Sequence, residues 1–413
     1  MKFASSLTSR ILDLRVSALH LMDASLKNLT PLDRQLVTWI LSAFPLDAPQ
    51  TLPNPADDVT WRALLERSTL QGTNPLLYLA LETRSFVNVP AFVVETLRDI
   101  YRRSALSNAT AHRELEIICA HLTAQALEAI VLKGAALSKW LYPQAAMRPF
   151  NDLDLLIQPA DRPAVSAILN QCDYTETNFA TTDFHNAFYC ETLFTRAQLP
   201  RQSVDLHWHL LNAQFYRRRI KPEWFWERTQ LATLGSAAFR LFDPTAQFAH
   251  LALHLSVHHG NIPRLIQLYD IALLIHKHDD TIDWEAVARY VQDAGLAHPV
   301  YYALERTCAA WQFASSPRIL TLFRPRVWHI SQRLTFQFFI ATHREGAVLS
   351  DALDLPGAKN KLRYALRHLF PDPAYMRQRY TLASDAFLPY YYLKRLAASA
   401  WKFARSVWSA FLH

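Results

Sequence analysis

"LYPQAAMRPFNDLDLLIQP", from Leu141 to Pro159, carries two acids, Asp152 and Asp154, directly before the apolar run Leu155–Ile157. The run predicts a strand that enters a hydrophobic core. Side chains alternate between the two faces of a strand, so residues two apart share a face. The two carboxylates should therefore lie side by side, where like charges repel unless a cation lies between them. The alternative is an edge strand whose acids face water.

The composition predicts a compact, largely helical protein with more than one lobe. The 413 residues exceed what one core usually holds, 51% of them are hydrophobic, and seven are Gly. A formal charge of +7 is a modest excess that favours anionic partners without defining them, and no specific nucleic-acid partner is predicted. The four cysteines form no CxxC pair, which argues against a disulfide framework and a thiolate zinc knuckle.

These features predict a cytoplasmic protein that is soluble or at most attached peripherally to a membrane. Charged residues at Arg10, Asp13 and Arg15 interrupt the amino-terminal segment, which therefore lacks the apolar region of a signal peptide. No run of eighteen apolar residues is free of charge, which argues against a transmembrane span.

Periodicity divides the chain into five predicted segments. Apolar residues recur at helical spacing on both sides of a central stretch that holds the strand candidates "IVLKG", "FNDLDLLIQ", "AFYCETLFT" and "SVDLHWHL". The predicted segments are an extension at 1–30, a helical lobe at 31–129, an α/β core at 130–212, a helical lobe at 213–345 and a helical region at 346–413.

A third acid extends the predicted site. Asp205 lies in the strand candidate "SVDLHWHL" and would join Asp152 and Asp154 if the two strands are neighbours. Three carboxylates can hold two Mg²⁺ or Mn²⁺ ions, which stabilise the attacking and leaving oxygens in phosphoryl displacement. His207 and His209 share the Asp205 face by alternation. They could orient a metal ligand or contact substrate, or they could lie behind the ligands or at the surface without a direct role.

Upstream, "IVLKGAALSKW" predicts a strand, a turn and a helix that could bind the phosphates of an NTP. Gly134 would let backbone amides approach a phosphate, and Lys133 would add a full positive charge. Arg148 has two equal interpretations, since it could neutralise a phosphate or pair with a nearby acid.

Several motifs occur in an order that resembles the uncharacterised nucleotidyltransferase family of the DNA polymerase β-like superfamily. They are "VLKGAAL", "LYP", "RPFNDLDLLI", "VDLHWHL", "HLALHLSVHHG", "LYDIALLI" and "IDWEAV". The resemblance extends from about Leu36 to Leu304. It implies an α+β fold, with a small mixed-sheet nucleotidyltransferase core embedded between N-terminal and C-terminal helical lobes. The sequence departs from the superfamily at Lys133-Gly134-Ala135, which replaces a Gly-Ser turn.

The resemblance also implies the activity and its residues. Asp152 and Asp154 would ligate both metal ions and Asp205 would complete the catalytic site, while an NTP donates its NMP to an acceptor. The acceptor could be a small molecule, a peptide or a glycan precursor. The alternative is a catalytically silent module of the same fold that binds a nucleotide or a protein partner; retention of three clustered acids favours the enzyme.

Two helical patterns have a functional and a structural interpretation. His250, His254 and His258 recur every four residues, a spacing that can share a zinc ion, but no Glu base motif or cysteine accompanies them, which favours packing in a core or cleft. Tyr269 and Asp270 could line an acceptor pocket or belong to a buried helix with a paired acid.

The carboxyl-terminal residues 390–413 predict a basic amphipathic helix. Lys394, Arg395, Lys402 and Arg405 gather on one side of a helical projection, opposite an apolar side. Such a helix either makes weak contact with an anionic membrane or packs on the helical lobe, and the second interpretation is favoured.

Overall fold

The computed structural model describes residues 29–44, 57–177, 188–197, 202–235, 237–259, 263–311, 316–325, 354–382 and 384–412, with single positions between 336 and 351. Seven strands occur among them: β1 Ala129–Leu132, β2 Asp152–Ile157, β3 Thr175–Thr177, β4 Glu191–Thr195, β5 Ser203–His207, β6 Thr229–Leu234 and β7 Ala237–Phe242. The α-helices are α1 Pro31–Ala43, α2 Asp58–Gln71, α3 Asn74–Glu82, α4 Ala91–Ala124, α5 Lys133–Trp140, α6 Arg162–Gln171, α7 Gln214–Arg217, α8 Pro222–Trp226, α9 Pro244–His254, α10 Leu265–His278, α11 Trp284–Asp293, α12 Ala297–Trp311, α13 Ser316–Phe323, α14 Ala358–Leu369, α15 Pro373–Tyr380 and α16 Leu388–Leu412. A π-helical turn, Leu255–His259, continues α9.

The strands form one mixed sheet in the order β3-β4-β5-β2-β1-β7-β6. The β2–β5 and β1–β7 pairs are parallel, and the other pairs are antiparallel. The candidate strands at "FNDLDLLIQ" and "SVDLHWHL" are therefore neighbours at the centre of the sheet. The predicted α+β class, a small mixed sheet set among helices, is confirmed.

Two hydrophobic cores cover the two faces of this sheet. Leu153 and Leu155 of β2 and Val204 of β5 point to one face, where they pack with the carboxyl-terminal half of α4 and with α6. The opposite face bears Leu156 of β2 and meets the larger core, which includes α9 and α10. Because side chains alternate, the acids of both central strands point to this second face.

The long helix α4 connects the two cores and holds the loop that leads into β2. Its 34 residues span about 50 Å. Ser104 donates a hydrogen bond to the Ala146 carbonyl at 2.9 Å, and Asn108 donates to the Ala145 and Arg148 carbonyls at 2.7 and 3.0 Å. These bonds fix the start of β2 relative to α4.

The amino-terminal helices begin at strong capping residues. Thr30 accepts a hydrogen bond from the Asp33 backbone N–H, and the Asp33 carboxylate accepts one from the Thr30 backbone N–H. Asp57 caps α2 in the same way through the backbone N–H of Thr60. Helices fill the described part of the predicted segment 31–129, whereas almost all of the predicted extension 1–30 lies outside the described residues.

The sheet extends past residue 212, where the sequence analysis places the end of the α/β core. β6 and β7 form a hairpin within 213–345, a segment predicted to be helical, and β7 adds to the sheet beside β1. Burial alternates along "AAFRLF", as expected for a strand with one buried face. Helical periodicity before and after this hairpin obscures that alternation in the sequence.

Candidate active site

Two parallel strands bring sequence-predicted acids together on the second face of the sheet. Asp154 of β2 lies opposite Asp205 of β5, and Asp152 lies opposite Ser203. Ligand atoms of Asp154, Asp205 and His207 lie within 4.8 Å of one another, a group that could hold a metal ion. Asp152 shares their face two residues along β2, and its role as a metal ligand stays a prediction.

Lys133 lies in contact with this group. β1 runs antiparallel to β2 with Leu132 opposite Asp154, which places the next residue, Lys133, at the level of the acids. Its Nζ donates to Asp154 Oδ1 at 2.6 Å. Lys133 has a left-handed φ of 49°, a conformation that costs a non-glycine residue free energy and that clusters at functional sites. The backbone strain and the ion pair both identify this turn as part of the site.

His207 bridges two acids. Its Nε2 lies 3.0 Å from Asp154 Oδ1, and its Nδ1 lies 3.2 Å from Glu191 Oε2. A ring with a carboxylate at each nitrogen is stabilised as the doubly protonated imidazolium, since both nitrogens then donate. Sequence reasoning missed Glu191, which faces His207 across the β4–β5 pair. Its position in the strand candidate "AFYCETLFT" was the available signal.

Charge coupling within the site is strong because the groups are close and shielded from water. Burial lowers the pKa of His207, but its bonds to Asp154 and Glu191 raise that pKa to about 9. Burial raises the pKa of Asp154, but Lys133 and His207 together hold that pKa well below its ordinary value. Asp154 is therefore an anion that two cations already stabilise.

Asp205 has the opposite balance. Burial raises the pKa of Asp205 to about 6, and the negative charge of Asp154 contributes to the rise. Burial and Asp154 likewise raise the pKa of Asp152. None of the described side chains donates a hydrogen bond to the Asp205 carboxylate. Asp205 is thus the acid whose charge the surrounding protein stabilises least.

The donor set fits a divalent cation. Carboxylates outnumber cationic groups here, with Asp152, Asp154, Glu191 and Asp205 facing Lys133 and His207. Carboxylate oxygens suit Mg²⁺ and Mn²⁺, whereas an imidazole ligand shifts the preference toward Mn²⁺ and later transition ions. His207 can become a ligand after it releases the proton that it donates to Asp154.

Gly134 is required by packing against Phe150. A Cβ at Gly134 would lie 2.4 Å from the Cβ of Phe150, a distance that real atoms do not reach. The positive φ of this turn belongs to Lys133, while Gly134 is buried in α5. The predicted role of Gly134, to let backbone amides approach a phosphate, stays a prediction. The role that the structure shows is packing against Phe150.

Arg148 forms a buried ion pair with Asp270 of α10. Its Nε and Nη2 donate to the two oxygens of Asp270 at 2.8 Å each, and Tyr142 donates to Asp270 Oδ1 at 2.7 Å. Arg148 and Asp270 are 8% and 2% exposed. Arg148 therefore pairs with an acid, Asp270, as one of its two interpretations from the sequence expects. A phosphate contact by Arg148 stays a prediction.

The predicted histidine stripe forms a column of stacked rings. The His254 and His258 rings stack with centroids 4.9 Å apart and an interplanar angle of 11°, and the His250 and His254 centroids are 5.9 Å apart. Parallel stacking does not direct ring nitrogens toward a common point, which argues against a shared zinc ion. Burial and the positive charge of Lys133 lower the pKa of His250 to about 3, so this ring is neutral at pH 7.

The column ends in the π-helical turn Leu255–His259, a geometry that is frequent at functional sites. His259 Nε2 lies 2.8 Å from Gln267 Nε2 on α10, so the turn is tied to the next helix. His258 is exposed, whereas His250 is 1% exposed. The column therefore extends from a buried ring at His250 to an exposed ring at His258.

Comparison with known proteins agrees with this geometry. A family model described as an uncharacterised nucleotidyltransferase matches residues 57–311, and no curated protein matches the chain. The crystal structure of an antigenic nucleotidyltransferase-like protein from Paracoccidioides brasiliensis is similar over 52% of this chain and 97% of its own, with 15% identity and a TM-score of 0.32. Because the family model covers more than half of the residues, including both central strands and the Lys133 turn, the chain belongs to the uncharacterised nucleotidyltransferase family.

Proposed function

We propose that this protein transfers a nucleoside monophosphate from an NTP to an acceptor and releases pyrophosphate. The observation that carries the proposal is the pairing of Asp154 with Asp205 across two parallel strands, beside Asp152 and the strained Lys133 turn. In the reaction, an acceptor oxygen forms a bond to the α-phosphorus, and the bond from that phosphorus to the α,β-bridging oxygen breaks. The electron pair leaves with pyrophosphate, and the acceptor proton passes to a site carboxylate.

Each acid has a distinct task in this proposal. Mg²⁺ or Mn²⁺ held by Asp152, Asp154 and Asp205 would supply positive charge at the triphosphate and at the attacking oxygen. Asp205 is proposed as the carboxylate that accepts the acceptor proton, because it lies opposite Asp154 and none of the described side chains donates a hydrogen bond to it. Lys133 binds the β- and γ-phosphates when it leaves Asp154.

The acceptor is proposed as a small molecule, a peptide or a glycan precursor. His258, at the exposed end of the histidine column, is proposed to contact the acceptor or the base of the NTP. Stacked aromatic rings of this kind can bind a planar group, such as a base, through contact between ring faces.

One observation favours the catalytically silent alternative. Lys133 and His207 already neutralise Asp154 through contacts of 2.6 and 3.0 Å. In a silent module these two cations would replace the metal permanently, and the pocket would bind a nucleotide or a partner without turning it over. The enzyme proposal instead requires Lys133 to exchange Asp154 for phosphate.

Turnover with labelled NTPs distinguishes the two proposals. The full chain, incubated with each α-labelled NTP, Mg²⁺ or Mn²⁺ and a cell extract, should transfer label to an acceptor and release pyrophosphate, and EDTA should stop both. The Asp205→Asn variant is the control for contaminating transferases. NTP binding that calorimetry detects without label transfer or pyrophosphate release would support the silent module.

Substitution of Lys133 tests the proposed exchange. Lys133→Met should weaken NTP affinity by about tenfold or more, since a charge-assisted contact to phosphate is lost. The same variant should bind Mn²⁺ more tightly in the absence of nucleotide, because no ammonium competes for Asp154. Calorimetry for NTP and electron paramagnetic resonance for Mn²⁺ measure the two effects.

Lys139→Met is the matched control, since Lys139 lies on the same helix and is exposed. It should change neither affinity. Unchanged NTP and Mn²⁺ affinities in Lys133→Met would show that the turn has a structural role alone.

A further inference from the structure

The carboxyl-terminal segment 358–412 concentrates positive charge. It contains ten Lys and Arg residues, two Asp and no Glu, a formal charge of +8, so that all other residues of the +7 chain sum to −1. The modest net charge of the whole protein therefore hides a strong segregation. A segment of this charge attracts polyanionic surfaces at physiological ionic strength.

The same segment exposes large apolar side chains. Among the described residues, thirteen large apolar side chains are exposed, and eight of them lie in this segment: Leu362, Leu366, Leu369, Phe370, Phe387, Tyr390, Leu393 and Trp401. Solitary exposed leucines are ordinary on protein surfaces, but clustering indicates an interaction site.

On α14 the two properties lie side by side. The exposed leucines at 362, 366 and 369 follow helical spacing, and the exposed Lys359, Arg363 and Arg367 follow a four-residue spacing next to them. The buried Tyr364 points the other way and meets Phe188, with ring centroids 5.1 Å apart. The helix thus has one docked face and one outward face that is both basic and apolar.

The helix α16 adds to this surface. Tyr390 and Leu393 are 60% and 67% exposed, and Lys394 is exposed beside them. Tyr392 faces inward and donates a hydrogen bond to the Pro371 carbonyl. The side chains of Lys402 and Arg405, which the sequence analysis places on the basic side, lie outside the described ones. We call the outward faces of α14 and α16 the basic apolar surface.

We propose that the basic apolar surface docks the protein onto an anionic lipid bilayer. Leucine and aromatic side chains insert at the headgroup boundary, while Lys and Arg side chains bind the phosphates of anionic lipids. A nucleic acid would bind the basic side chains but leave the leucines exposed to water. It would therefore explain the charge of the surface but not its apolar side chains. None of the described helices combines the length and the apolar composition needed to cross a bilayer, so the contact is peripheral.

The inward face of α14 packs on the segment that leads into β4. Phe188, which contacts Tyr364 of α14, lies three residues before Glu191 of the site. If the proposed transfer activity holds, a membrane-anchored acceptor is one class of substrate to test for it. The lipid contact itself does not depend on that activity.

Vesicle co-sedimentation of the full chain tests the proposal. Vesicles of phosphatidylcholine with one third phosphatidylglycerol should bind the protein at least about tenfold more tightly than pure phosphatidylcholine, and high salt should remove the difference. Leu362→Gln with Leu366→Gln, and separately Lys359→Gln with Arg367→Gln, should each reduce binding about tenfold. Asp205→Asn should bind as the parent does, which separates this result from the failure of the transfer activity.

The chain offers a matched control. Leu70 and Leu106 are exposed leucines outside the segment, 59% and 71% exposed, and Leu70→Gln with Leu106→Gln should leave vesicle binding unchanged. Equal loss in this control, or no preference for anionic vesicles in the parent, would overturn the proposal. So would self-association that the Leu362→Gln/Leu366→Gln variant abolishes while vesicles remain unbound, since the occupant would then be a second copy.

Discussion

Asp205→Asn should abolish nucleotidyl transfer and yet leave the protein at least as stable as the parent. The loss of activity should be at least about 10²-fold, because the amide keeps an oxygen but loses the charge that the reaction needs. Stability should not fall, because Asp205 is repelled by Asp154, Asp152 and Glu191 and none of the described side chains donates to it. We expect the free energy of unfolding in EDTA at pH 7.5 to rise by about 1 kcal/mol.

The gain should depend on pH with a definite sign. Burial and then Asp154 raise the pKa of Asp205 from 3.8 to about 6, so folding disfavours its charged form. The folded protein therefore binds more protons than the unfolded chain between these values, and the penalty grows as pH rises through this window. The advantage of Asp205→Asn should be complete above about pH 6 and absent below pH 3.8.

Asp154→Asn is the contrasting variant. It should also abolish transfer, but it should lose about 3–5 kcal/mol of stability, because it leaves the charges of Lys133 and His207 without their shared partner. Adding Lys133→Met should recover part of that loss. Urea unfolding followed by circular dichroism measures each variant. Equal stability of Asp154→Asn and Asp205→Asn would contradict the charge arrangement described here.

The alternation of two strands was sufficient to predict which acids share a face of the sheet. In "DLDLLI" and "SVDLH" the acids alternate with apolar residues, and in the structure Leu153 and Leu155 of β2 and Val204 of β5 lie on the face opposite the acids. Their adjacency was a hypothesis at the sequence level, because alternation does not specify which strands pair. The parallel register that puts Asp154 opposite Asp205 is a property of the folded sheet.

The cationic partners were beyond the reach of sequence reasoning. Lys133 reaches Asp154 because β1 and β2 pair with Leu132 opposite Asp154, and Glu191 reaches His207 because β4 and β5 pair at that position. Each contact depends on the register of a strand pair, and that register is set by turns and by long connections. The sequence predicted that Lys133 belongs to the site, but toward phosphate rather than toward an acid.

Breaking the Arg148–Asp270 ion pair should strongly lower the free energy of unfolding. Arg148→Met should reduce the free energy of unfolding by about 3–5 kcal/mol, since it leaves the Asp270 carboxylate buried beside Tyr142 without its cation. Burial works against the charged form of Arg148, yet Asp270 raises the pKa of the guanidinium, which is therefore charged in the fold. The pair ties the loop before β2 to α10.

The double variant Arg148→Met/Asp270→Asn separates a structural from a phosphate-binding role. Asn can still accept the hydrogen bond from Tyr142, and no uncompensated charge remains, so most of the stability should return. If Arg148 only positions the loop, the stable double variant should keep the NTP affinity and turnover of the parent. If Arg148 also exchanges Asp270 for phosphate, NTP affinity should fall about tenfold despite the restored fold. The charge argument predicts that stability recovers when both charges are removed together. A double variant as unstable as Arg148→Met would contradict this argument. The destabilisation would then come from the lost packing of the arginine side chain rather than from an uncompensated carboxylate.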